Sequence, residues 1–174
     1  MPVPSLDELF APWNHALGAD RVAYRHHVER MLRLCELQAG GSLPDPLAFR
    51  VAGLYHDLGI WSDGTADYLA PSRARAVKWL QENGHSDKTA LVEALIEEHH
   101  KVRPAGAAGD PVEIFRRADW MDVSLGLLNF GLPRRHYRAL LREFPDEGFH
   151  LRLLELGGKR ALTHPLSPLP MFKW

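Results

Sequence analysis

The side chains with most chemistry to offer are histidines and aspartates, and they recur in close pairs: His26 and His27, His56 and Asp57, His99 and His100, and further on Asp119 and Asp122. The chain has 174 residues, ten of them histidine, against a single cysteine, Cys35. Neutral imidazole nitrogens and carboxylate oxygens, gathered at one point, suit divalent ions such as Mn, Fe, Co, Ni, Mg or Zn. Without sulfur ligands zinc has no special claim. A bound divalent ion polarises a phosphoryl oxygen and brings the pKa of water from about 16 toward 7, which is hydrolase chemistry. That chemistry requires the groups to face inward together.

Helical periodicity selects among them. Tyr24, Val28, Met31 and Cys35 form an apolar stripe, and His27 lies beside it, while His26 falls with Arg30 and Arg33 on the solvated side. The stretch 46–58 is apolar nearly all round, interrupted only by Arg50, His56 and Asp57, as in a central buried helix that carries a His-Asp pair inward. Beyond Pro111, residues Val112, Phe115, Asp119 and Val123 share a face, so Asp119 replaces an apolar residue in a core stripe, with Asp122 as its rival. His99 follows Val92, Leu95 and Ile96 on an inward face, whereas His100 precedes Lys101 and lies nearer the edge. Buried unpaired carboxylates are costly. A shared cation would compensate His27, His56, Asp57 and Asp119 together; the other compensation is an ion pair from Arg50 or Arg116.

The elements that must position these groups are helices. Gly and Pro divide the chain into helical segments with no convincing alternating strand. The pattern predicts helices over 20–38, capped by Asp20 and ended by Gly40 and Gly41, and over 45–58, with Pro46 in the first turn. Others are predicted from Ser72 to about 84, from Ser86 or Asp87 to His100, from Pro111 to about 128, and more weakly over 134–143 and 146–162. The stretches 60–70 and 104–110 read as loops. The expected fold class is an all-α, single-domain helical bundle, with no internal repeat and no linker. The tail 163–174 mixes three prolines with Leu166, Leu169, Met171, Phe172 and Trp174. It reads as an extended strap on the domain, or alternatively as the contact of a homo-oligomer.

The order His, His-Asp, Asp, in the stretches YRHHVERM, GLYHDLGIW, EEHHKVRP and FRRADWMD, resembles the HD superfamily of metal-dependent phosphohydrolases over about 20–125, with helices and a Pro-rich tail beyond. The resemblance implies an all-helical fold with the site inside the bundle and ligand roles for His27, His56, Asp57 and Asp119. It implies one or two divalent ions per chain, since binuclear relatives use a histidine at a place comparable to His99 for a second metal or the substrate, with His100 as the weaker candidate. Ile60 stands where cyclic-dinucleotide phosphodiesterases of the superfamily usually have Lys, and where family 5′-nucleotidases often have Glu; no GYP follows the HH pair. The acid or base is therefore sought in the following loop, at Asp63 or Asp67, although WSDGTADY would also make an ordinary Asx-turn loop. Lys101, Arg103 and Arg73 are candidates for neutralising a phosphate, against the plainer reading of solvated surface charges.

Other classes find less support. A formal charge of −1 excludes a global field for bulk nucleic acid or an acidic membrane, leaving a small-molecule substrate, nucleotides included. There is no stretch apolar enough to span a bilayer, no secretory leader pattern at the start, and no P-loop, GxGxxG, GxSxG or CxxC motif. A lone cysteine suits a reducing cytoplasm. His15, His85, His136, His150 and His164 carry no partner pattern and read as surface or structural. The leading expectation is a phosphohydrolase of small phosphate esters or nucleotides. The alternatives are another metal enzyme on the same scaffold, resembling the di-iron inositol oxygenase or cyanamide hydratase, and a non-catalytic metal-stabilised binding module.

Overall fold

Short polar side chains and prolines fix where the helices begin. Asp45 accepts the Ala48 amide at 3.0 Å with Pro46 in the first turn, and Asp110 accepts the Val112 amide at 2.8 Å ahead of Pro111. The computed structural model describes residues 3–64 and 67–163, and the regular elements among them are all helical. Besides three single 3-10 turns (Ala11–Trp13, Gly18–Asp20 and Ser86–Lys88), they are in chain order α1 (Leu6–Phe10), the single turn α2 (Asn14–Leu17), α3 (Arg21–Gln38), α4 (Pro46–Tyr55), the single turn α5 (Gly59–Ser62), α6 (Leu69–Glu82), α7 (Thr89–Glu98), α8 (Pro111–Val123), α9 (Arg134–Glu143) and α10 (Phe149–Thr163). The all-α, single-domain expectation holds. Among the described residues no helix is long and apolar enough to cross a membrane.

The apolar α4 is the central element, and its neighbours are α1, α3, α6 and α7. Leu47 through Tyr55 are buried apart from Arg50. Gly53 lets α3 come close: a Cβ there would stand 3.3 Å from Val28 Cγ1 and 3.4 Å from Leu32 Cδ2. The longest helix, α3, lies along α8 and also meets α9 and α10. The predicted stripe of Tyr24, Val28, Met31 and Cys35 is fully buried.

Several boundaries differ from the sequence pattern for physical reasons. Asp20 stands at the N-cap of α3 as expected, but its side chain makes no capping hydrogen bond; its Oδ2 instead accepts from Trp61 Nε1 at 2.9 Å and from Arg152 Nε at 3.0 Å. The helix expected from Ser72 begins at Leu69, because Pro71 falls in a first turn, where its missing N–H is not required. The helix expected to reach about 128 stops at Val123, where Leu125 (φ 54°) and Gly126 (φ 72°) turn left-handed. The short α1 was not expected, although Ser5 and Glu8 form a reciprocal capping box before it. The two readings of the tail fall on 164–174, outside the described residues.

Candidate metal centre

The inward groups come from four parts of the bundle. His27 lies midway along α3 and Asp119 along α8, both in buried stripes. His56 and Asp57 occupy the turn that follows α4, and His99 and His100 the turn that follows α7. Two helix C-termini, the negative ends of their dipoles, thus converge where cations are favoured.

Hydrogen bonds on the far side of three imidazoles set their direction. His56 Nδ1 donates to the Gly53 carbonyl at 2.8 Å and His99 Nδ1 to the Ile96 carbonyl at 2.6 Å. His27 Nδ1 donates to Asp122 Oδ2 at 2.7 Å. Since carbonyl and carboxylate oxygens only accept, these nitrogens carry protons, and each Nε2 faces inward, where it can serve a metal ion. His27 Nε2 then stands 3.1 Å from His56 Nε2 and 3.6 Å from Asp119 Oδ1, while His56 Nε2 is 3.4 Å from Asp57 Oδ2 and 3.8 Å from Asp119 Oδ1. Across the cluster, Asp57 Oδ1 faces His99 Nε2 at 3.4 Å and His100 Nε2 at 3.9 Å, and Asp119 Oδ2 faces His100 Nδ1 at 3.6 Å.

The donor set fits a divalent ion. Three overlapping groups, His27/His56/Asp119, His56/Asp57/His99 and His99/His100/Asp119, have ligand atoms within 4.8 Å of one another. Two donors each about 2.1 Å from one ion stand up to roughly 4.2 Å apart. Asp57 Oδ1, Asp119 Oδ1 and His99 Nε2 are buried without a hydrogen-bond partner among the described residues. Buried polar atoms are rarely left so, and here they share one small volume.

The charges express the same demand. Burial disfavours imidazolium at His56, but the adjacent Asp57 outweighs it and lifts the pKa to about 9. Burial also opposes ionisation of Asp57, yet His56 and His99 hold its carboxyl well below the usual range. Asp119 is pushed up by burial despite the three nearby histidines, and His100 is pushed well down by burial and by His99.

The other expected residues are placed as follows. Asp63 is exposed and held by both Arg75 amino groups, at 2.5 and 3.0 Å, outside the cluster. Asp67 is exposed beside buried Tyr68. Arg73 pairs with Glu97 and, at 3.7 Å, with Glu93; Lys101 pairs with Glu98 at 3.0 Å; Arg103 is exposed. Neither arginine considered for the buried acids serves them: Arg50 donates to the Pro4 carbonyl, and Arg116 binds Glu113. Arg30, expected on the solvated side, is instead fully buried, because α3 has a second packed face toward α8 and α9, where Arg30 grips Asp122. Asp122 stands behind His27, and the rivalry with Asp119 dissolves into two different positions.

Two further residues border the cluster. The Tyr68 hydroxyl lies 2.6 Å from His100 Nε2, and Phe149 stacks on the His27 ring with centroids 4.2 Å apart. Tyr68 sits in a stretch read only as a turn-rich loop, and Phe149 lies beyond 20–125, the stretch that carries the recognised motifs. Neither belongs to a repeating apolar stripe, so no spacing signal marks them.

No family model matches the chain, and neither a curated protein nor a solved structure matches it. What stands by itself is a helical protein with a buried His/Asp cluster that could bind a metal ion.

Proposed function

We propose that this protein is a metal-dependent hydrolase of the HD type, acting on a small phosphate ester or nucleotide. The observation that carries the reading is the convergence of His27, His56, Asp57 and Asp119 from three parts of the bundle, with buried carboxylate oxygens that have no hydrogen-bond partner among the described residues. A divalent ion in such a place supplies Lewis acidity and lowers the pKa of water toward neutrality.

The protein's own groups do the rest. Backbone carbonyls and Asp122 hold protons on Nδ1 and aim three Nε2 atoms inward. The two carboxylates each turn one oxygen toward His27 or His56 and the other toward His99 or His100, an arrangement that suits two ions as well as one. Tyr68 offers a hydroxyl beside His100, the most exposed imidazole of the cluster. Lys101 follows directly, and a substrate phosphate would compete with Glu98 for its ammonium group. Protein loaded with Mn2+ or Co2+ is expected to turn over one member of a phosphoester and nucleotide panel, to stop on chelation, and to be inactive as Asp57→Ala. Metal-replete protein with no turnover across the panel would overturn the hydrolase reading.

The straddling carboxylates also favour a second reading, a di-iron enzyme of the inositol-oxygenase type. Bound iron with a visible absorption band, and no phosphoester turnover, would select it.

A further inference from the structure

Outside the four expected ligands, the strongest buried polar arrangement lies directly behind one of them. Asp122 Oδ2 accepts from His27 Nδ1 at 2.7 Å and Arg30 Nη2 at 2.9 Å, while its Oδ1 accepts from Arg30 Nε at 2.6 Å. All three side chains are fully buried. Arg30 is itself fixed, because Nη1 donates to the Phe144 carbonyl at 2.9 Å and to the Pro145 carbonyl at 3.3 Å. The Asp122 backbone is held too, its carbonyl accepting from His150 Nε2 at 2.8 Å.

We infer that Asp122, clamped by Arg30, is the positioning residue for His27: it fixes the tautomer and the aim of the ring, and thereby sets how tightly the cluster holds its ion. The inference rests on the metal-binding reading above. A buried ion pair is no better for stability than apolar packing of the same volume. The geometry gives this pair a different use. A ring free at Nδ1 could carry its proton on either nitrogen, and with the proton on Nε2 it donates nothing to a metal. An ionised carboxylate at Nδ1 excludes that tautomer and makes Nε2 more basic. Because the clamp is closed by the α9–α10 corner, the site extends beyond the motif-bearing stretch 20–125, and the C-terminal part of the bundle takes part in positioning a ligand.

A control lies on the same helix. Glu113 is as deeply buried and also grips an arginine, Arg116, together with Arg117 and the Ala105 amide, but it contacts no histidine of the cluster. Full-length wild type, Asp122→Asn, Arg30→Met and Glu113→Gln are stripped of metal and titrated with Mn2+ and Co2+, with imidazole 15N NMR of the apo proteins. Asp122→Asn is expected to bind roughly 10–100-fold more weakly. Arg30→Met should lose less, in the same direction. Glu113→Gln should melt earlier yet bind as wild type does. The His27 Nδ1–H resonance should be present in wild type and lost or exchange-broadened in Asp122→Asn. Asp122→Glu, which moves the carboxylate by one methylene, carries the same affinity test if the amide variant does not fold. Wild-type affinity in the Asp122 variants, or a loss no greater than in Glu113→Gln, overturns the inference and leaves the metal reading intact. A wild type that takes up neither ion overturns both.

Discussion

His27 Nε2 and His56 Nε2 face each other at 3.1 Å, each with its Nδ1 already donating to an oxygen behind the ring. Were both imidazoles neutral, their lone pairs would oppose each other, with the oxygens of Asp57 and Asp119 close by. Nothing in ordinary core packing favours that arrangement. A positive charge between them does, whether a proton or a metal ion, and the ion satisfies all the donors at once.

Metal binding should therefore stabilise the fold. At a free ion concentration 100 times the dissociation constant, the linkage is about 2.7 kcal/mol. For a chain of this size that amounts to a melting-temperature rise of roughly 5–10 °C, read by scanning fluorimetry with and without chelator.

Asp119→Asn separates function from stability. Burial raises the Asp119 pKa, so the folded state disfavours its charge, and a neutral amide relieves that cost above the unfolded pKa. The metal-free variant should melt higher than metal-free wild type near neutral pH, while the metal-induced rise disappears. A lower metal-free melting temperature would mean that the carboxylate serves the fold after all.

Gly59 is a close-approach position. A Cβ there would stand 2.7 Å from the Tyr68 carbonyl oxygen, and the Gly59 amide donates to Ser72 Oγ at 2.9 Å. Gly59→Ala should cost about 1–3 kcal/mol through overpacking. It should also move Tyr68 away from His100, visible as altered ring resonances of both residues.

Acid stability follows from the two arginine-paired carboxylates among the three buried on α8. Burial would raise both, but His27 and Arg30 hold Asp122 at about 2, and Arg116 with the Ala105 amide holds Glu113 at about 2. A depressed folded-state pKa gives stability that is present above the unfolded value and lost as pH falls through the folded one. Denaturation midpoints should thus fall steeply between about pH 4.5 and 2. In Glu113→Gln that slope should be shallower.

Asp63→Asn should lose the partly exposed pair with Arg75, worth up to about 1 kcal/mol, weaken the hydrogen bond from Ser62, and keep full metal affinity. Turnover that vanishes while the metal stays would return Asp63 to the reaction.

The buried face of α3 and the nearly all-apolar α4 were legible from composition and from spacing that repeats every three to four residues, and that repeat singled out His27 over His26 and Asp119 as a core residue. Arg30 was not legible. A stripe pattern assigns one buried face, whereas α3 is covered on two sides, and the partner that makes an arginine tolerable there comes from 92 positions away in the sequence. His100 was placed near the edge from the charge of Lys101, yet its side chain is only 12% exposed. The end of a helix redirects side chains in ways that periodicity does not describe. Tyr68 was hidden for the same reason: it reaches the cluster from a non-repeating segment, through the close approach at Gly59.

The most direct measurement is metal analysis of protein purified without added metal, with anomalous scattering from its crystals to locate the ion. The account predicts a transition metal within about 2.0–2.3 Å of His27 Nε2, His56 Nε2 and oxygens of Asp57 and Asp119. Metal-free protein that refuses reloading, or an ion bound elsewhere while these four groups satisfy one another through protons, would contradict it.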